Sequence, residues 1–150
     1  RKELVRLQED AILFLPTVNN KIGIIDNTGR EVVPPKYSYV SNLRVDRLAR
    51  VRLNGKYGLI DRTGKEVVPP KYDDNVGDFQ EGLAQAKLNG KWGFIDTTGK
   101  EVVPPKYDDV SHFKEGLARA KLNGKWGFID TTGKNLSPRN MMTYRISKRV

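Results

Sequence analysis

Leu83-Ala84-Gln85-Ala86-Lys87-Leu88-Asn89-Gly90-Lys91-Trp92-Gly93-Phe94-Ile95-Asp96-Thr97-Thr98-Gly99-Lys100 recurs as Leu117 to Lys134 with a single change, Gln85 to Arg119. Chance does not produce such a pair, so the chain reads first as a tandem repeat. Inside the block Ala84, Ala86 and Leu88 alternate with Gln85 and Lys87, the period-two pattern of a strand. Asn89-Gly90 is the pair favoured by a type I′ turn, whose central residues both need positive φ. Trp92-Gly93-Phe94-Ile95 then returns as a second strand. Asp96-Thr97-Thr98-Gly99 reads as a type I turn closed by a left-handed glycine, a three-residue hairpin loop with a bulge. Val102-Val103 opens a third strand, and Pro104-Pro105 ends its pairing because proline donates no backbone hydrogen bond.

The same unit extends in both directions. Lys21-Ile22-Gly23-Ile24-Ile25-Asp26, Lys56-Tyr57-Gly58-Leu59-Ile60-Asp61, Lys91 to Asp96 and Lys125 to Asp130 start 35, 35 and 34 residues apart. Asn-Gly recurs at Asn54-Gly55 and Asn123-Gly124, with Asn19-Asn20 in its place in the first copy. Glu-Val-Val-Pro-Pro-Lys-Tyr follows at Glu31–Tyr37, Glu66–Tyr72 and Glu101–Tyr107. The fourth copy breaks off after Lys134, where Asn135-Leu136-Ser137-Pro138 replaces that segment. Phe79-Gln80-Glu81-Gly82-Leu83-Ala84 and Phe113-Lys114-Glu115-Gly116-Leu117-Ala118 mark the joining loops, each with a phenylalanine to anchor it on the core.

Each unit is therefore expected to be a three-stranded meander followed by a loop of about ten residues. A lone meander buries too little surface to be stable, so neighbouring units should cover one another. The expected fold is all-β, an open solenoid-like stack of meanders, with closure into a small propeller as the alternative. The copies span residues 12–46, 47–81, 82–115 and, in part, 116–134. Residues 1–11 match no copy and are read as an N-terminal cap or linker able to form a short amphipathic helix. Residues 135–150 are read as a basic C-terminal cap or tail, in which Met142, Tyr144 and Ile146 alternate as in a closing strand. The chain opens with Arg1, as a processed product or an excised segment would, and its compartment is left open.

Composition narrows the chemistry. Hydrophobic residues make up 37% and charged residues 30%, too apolar a mixture for disorder. No apolar run approaches the roughly 20 residues of a membrane helix, so no membrane span is expected. There is no cysteine and one histidine, His112, which removes thiolate chemistry and multi-histidine metal sites. The formal charge is +9, but residues 56–124 are close to neutral. The excess sits in the first copy (Arg44, Arg47, Arg50, Arg52) and in the tail, whereas a polyanion-binding array would carry it in every copy.

Candidate sites were weighed against bland alternatives. The aromatic-glycine pairs Tyr57-Gly58, Trp92-Gly93 and Trp126-Gly127 read as a structural signature, with glycine allowing close backbone approach and the aromatic filling a core. Tyr37, Tyr72 and Tyr107 form a row able to stack on sugar rings or bases, although each could equally cover its own hydrophobic face. Arg52, Lys87 and Lys121, together with Arg50, Gln85 and Arg119, should point outward as a basic ladder for an anionic partner, or simply as a solvated face. Asp73-Asp74 and Asp108-Asp109 supply too few ligands for a hard cation and fit loop-start chemistry better. No catalytic, metal-binding or cofactor residue is assigned. Catalysis needs an asymmetric convergence of different groups, and duplication yields arrays of like surfaces.

Asn-Gly-Lys-Trp-Gly-Phe-Ile-Asp, then Thr-Gly-Lys-Glu-Val-Val-Pro-Pro-Lys-Tyr-Asp and Phe-x-Glu-Gly-Leu-Ala, resembles the Trp-Gly (WG, or KWG) repeat family of bacteria. The resemblance covers about residues 12–134 and is most specific in the last two full copies. In the first copy Ile22-Gly23 stands where Trp-Gly is expected, and in the second Tyr57-Gly58. It implies a bacterial β-repeat, found as arrays or appended to other domains, with binding as its assumed role and no common enzymatic activity. The functional expectation is a non-enzymatic module that binds another protein or acts as a scaffold. The alternatives are polysaccharide or cell-envelope binding through the tyrosines, and nucleic-acid binding through basic patches.

Overall fold

A computed structural model describes residues 12–16, 18–26, 28–41 and 47–136. The expectations for residues 1–11 and for a closing strand at Met142–Ile146 lie outside the described residues. Four antiparallel sheets follow one another along the chain, in two compact units that divide after Val76. The first unit holds β1 (Ile12–Pro16), β2 (Ile22–Asp26) and β3 (Glu31–Tyr37) as one sheet. Its second sheet is β4 (Tyr39–Val40), β5 (Ala49–Leu53), β6 (Lys56–Ile60) and β7 (Glu66–Tyr72). The second unit holds β8 (Leu83–Leu88), β9 (Lys91–Asp96) and β10 (Glu101–Tyr107). Its other sheet is β11 (Asp109–Val110), β12 (Leu117–Leu122), β13 (Lys125–Asp130) and β14 (Asn135–Leu136). Among the described residues no sheet closes into a barrel, and the protein is an all-β tandem repeat. No described helix is long and apolar enough to cross a membrane.

The turns follow their residue chemistry. Asn54, Asn89 and Asn123 take φ near 50°, and the glycines after them near 80°, the two left-handed positions of a type I′ turn. At the next turn the Asp96 side chain accepts hydrogen bonds from the Thr98 amide (2.9 Å), the Thr98 hydroxyl (2.6 Å) and the Lys100 amide (3.1 Å). Asp26, Asp61 and Asp130 do the same for their own loops. The Thr98 hydroxyl, helped by these amides, holds the Asp96 carboxyl below the usual carboxylate range. A third tight turn was not anticipated. Glu81-Gly82 and Glu115-Gly116 both have positive φ, and Gln80 and Lys114 pair across them with Leu83 and Leu117. Glu81 there accepts the Gly116 amide at 2.7 Å, tying one joining loop to the next.

Three expectations are corrected. The meander gains a fourth strand in two sheets, because Tyr39-Val40 and Asp109-Val110 leave the preceding tyrosine and pair with the first long strand that follows. The fourth copy does not stop at Lys134, since Asn135-Leu136 pairs with Ile129-Phe128 as the start of a third strand. Asn19 and Asn20 do take positive φ, yet the connection is one residue longer and Pro16 pairs with Ile22 rather than Gly23. A one-residue shift of register exchanges the two faces of a strand.

Within each unit the two sheets share one core. Ile24, Val33 and Tyr37 of the first sheet meet Ala49, Val51 and Ile60 of the second. Phe94, Val103 and Tyr107 meet Ala118, Ala120 and Ile129 in the same way. Large side chains on one sheet thus face small or β-branched ones on the next, which lets the layers interdigitate. Phe113 is buried and sets its ring edge-on to Phe94, with centroids 4.7 Å apart, while Phe79 is half-buried.

The glycine after each aromatic is required by its own sheet. Along β9 and β10, Phe94 pairs with Val103 and Trp92 with Tyr107, so Pro104, Pro105 and Lys106 bulge across Gly93. A Cβ on Gly23 would lie 2.7 Å from the Val33 carbonyl oxygen and 2.9 Å from the Pro35 nitrogen. The corresponding contacts at Gly58 and Gly93 are closer still. Gly127 is the internal control: its copy lacks Val-Val-Pro-Pro, and nothing lies within 4 Å of where its Cβ would stand. Gly93→Ala should cost ~3 kcal/mol by forcing the bulge away, whereas Gly127→Ala should stay within about 0.5 kcal/mol of the parent. Urea denaturation of the two variants measures the contrast, and equal costs would refute this account of the glycine.

Candidate functional site

Arg52, Lys87 and Lys121 sit directly opposite Tyr57, Trp92 and Trp126 on neighbouring strands. Each cation lies over the ring it faces, at 5.4 Å for Arg52, 5.7 Å for Lys87 and 6.0 Å for Lys121. Arg119 also covers Trp126, at 5.1 Å. The aromatic of each pair is therefore not simply a core residue: it shares the face of the basic ladder. Tyr57 and Trp92 are half-buried there, and Trp126 is 48% exposed.

Burial separates the other candidates. Tyr37, Tyr72 and Tyr107 are at most 1% exposed, so their rings offer no stacking surface. The Tyr37 hydroxyl donates to the Glu66 carboxylate of the following copy at 2.7 Å, and Lys36 approaches the same oxygen at 3.8 Å. The Tyr107 hydroxyl donates at 3.3 Å to Asn135, which stands where the other copies carry glutamate. The tyrosine is thus a latch from each of these copies to its successor.

Arg50 corrects the expected outward ladder, since it is 0% exposed. Its guanidinium donates to the carbonyls of Leu48 and Val76, both at 3.2 Å, which offsets the cost of burying the charge. Gln85, at the equivalent position, donates to the Val110 carbonyl at 3.0 Å. Only Arg119 of this set is exposed. Among candidate binding residues, then, Arg52, Lys87, Arg119 and Lys121 share the aromatic face, and Arg50 and the tyrosines do not.

The acidic pairs hold cations already present in the chain. Asp108 accepts from Lys91 at 2.7 Å and Asp73 from Lys56 at 3.4 Å. The Lys91 ammonium, with the Gly124 amide, lowers the Asp108 carboxyl below its usual range. Among the described residues no three His, Asp or Glu side chains cluster closely enough to hold a metal ion.

Sequence reasoning missed Leu122 and Tyr39, which are 36% and 40% exposed, and treated Trp126 only as structure. The available signal was the loss of Val-Val-Pro-Pro-Lys-Tyr after the fourth copy.

Burial, followed by the hydrogen bond to Glu66, raises the Tyr37 hydroxyl far above its ordinary pKa of about 10. A group whose folded pKa is raised contributes in full below its unfolded pKa and loses that contribution as pH rises past it. The latch should therefore weaken the fold only above about pH 10. Tyr37→Phe should cost ~1–2 kcal/mol near neutrality and show a shallower loss of stability at alkaline pH. Urea midpoints taken across that range test both statements, and parallel pH profiles would exclude the latch as the source.

Comparison with known proteins agrees with this architecture. No curated protein matches the chain significantly. Among solved structures, "KlHsv2 with loop 6CD replaced by a Gly-Ser linker" is similar at TM-score 0.48 and 11% identity over 91% of this chain and 51% of that one. A structure described as the eukaryotic initiation factor is similar at TM-score 0.51 and 10% identity, over 91% of this chain and 42% of that one. The chain spans about half or less of these proteins, and at such identities likeness extends to fold and no further. Residues 22–57, 57–92 and 92–126 each match the WG containing repeat. The chain belongs to the WG-containing repeat family.

Proposed function

We propose that the chain is a non-enzymatic protein-interaction module whose contact surface centres on Trp126, with Arg119, Lys121 and Leu122 around it. The observation carrying this reading is an indole left 48% exposed beneath two cations. Exposed tryptophan and arginine are the residue types that dominate binding energy at protein interfaces. They gain most when a partner excludes water from both ring and guanidinium. The repeated and equivalent settings of the polar side chains argue against an enzyme, because no asymmetric group of catalytic types converges. Polysaccharide binding through the tyrosines loses its supporting feature, since those rings are inside. Nucleic-acid binding has weak support, because Lys56 and Lys91 are paired with Asp73 and Asp108 and the central copies are nearly neutral.

Capture from nuclease-treated lysate at about 0.3 M salt, where exposed charge pairs are largely screened, is the direct test. Trp126→Ala should reduce recovery of the specific protein partner by about tenfold or more, and Tyr39→Ala should leave it unchanged. Recovery indifferent to Trp126, or only of glycan or nucleic acid, would defeat the proposal.

A further inference from the structure

We infer that the edge of the fourth sheet beside Gly127 is a receptor slot for an extended Pro-Pro-x-Tyr segment of a partner protein. The inference rests on the interaction reading above and specifies the partner's chemistry. Four copies of the same strand supply the argument. At Gly23, Gly58 and Gly93 the glycine is buried beneath the Val-Pro-Pro backbone of its own third strand, closer than any side chain would allow. Two prolines suit that position because the crossing backbone has no N–H left to satisfy. The tyrosine beyond them then pairs with the residue before the glycine, as Tyr37 does with Ile22, Tyr72 with Tyr57 and Tyr107 with Trp92.

The fourth copy keeps the receiving half of this arrangement. Gly127 is exposed, with open space where the bulge stands elsewhere, and Trp126 beside it is uncovered. The two residues of β14 pair in straight register, Asn135 with Ile129 and Leu136 with Phe128. In the third copy a residue is looped out between the equivalent pairs, Glu101 with Ile95 and Val103 with Phe94. The sequence at this point reads Asn135-Leu136-Ser137-Pro138-Arg139, with neither the valine pair nor the proline pair. Addition of an outside strand to such an edge supplies main-chain hydrogen bonds for affinity and side-chain seats for specificity. Here the seats are Gly127 for the prolines and Trp126 for the tyrosine.

The probe is the synthetic peptide Glu-Val-Val-Pro-Pro-Lys-Tyr, the chain's own residues 101–107, titrated into the full chain. Trp126 fluorescence is read in a Trp92→Phe background. Saturable binding is expected, weakened at least tenfold when both prolines become alanine and when Gly127→Leu fills the slot. Gly127→Leu should keep the parent's urea midpoint, because the space is open. No saturable binding, or binding that Gly127→Leu leaves intact, overturns the slot. If the peptide fails while partner capture still depends on Trp126, the slot is wrong and the interaction reading stands. If capture is also indifferent to Trp126, both fall.

Discussion

The fold depends on one backbone crossing. In three copies the third strand leaves regular register, and its Val-Pro-Pro backbone passes over a residue that can only be glycine. That crossing carries the following tyrosine inward, where it joins the shared core and reaches the next copy. The short motif of an aromatic, a glycine and, about ten residues on, two prolines is therefore a single contact. Its two halves are far apart in sequence and touching in space.

Much of this was legible in the residues because it is local. Asn-Gly at Asn89-Gly90, the Asp96-Thr98 loop and the alternation of Ala84, Ala86 and Leu88 each fix a turn or a strand by their own chemistry. The third strand's start at Val102-Val103 was also readable. What escaped was non-local. Tyr39-Val40 and Asp109-Val110 look like loop, and only the strand they meet some ten residues later makes them strands.

The candidate site was harder to read for a related reason. Alternation distinguishes a wet face from a dry one, but in a stack both faces of an inner sheet are covered. Arg50 and Gln85 stand on the side that alternation marks as outward, yet Arg50 is fully buried and Gln85 reaches a carbonyl of the succeeding loop. The row Tyr37, Tyr72 and Tyr107 misled in the same way, since regular spacing is shared by a binding surface and by an internal seam. Arg119 differs from Arg50 in neither residue type nor position in the unit. Only a covering layer separates their fates, and a single copy's sequence does not encode it.

The tyrosine latch also gives the array a direction. Donor and acceptor lie on successive copies, with Tyr37 reaching forward to Glu66 and Tyr107 to Asn135. Shortening the protein from its amino end would return a glutamate to water, where an ionised carboxylate is at home. Shortening it from the carboxyl end would strand a phenol in apolar surroundings without its acceptor. Such arrays are thus built to be trimmed from one side only, and the polar Asn135 in place of glutamate ends the series with an uncharged stop.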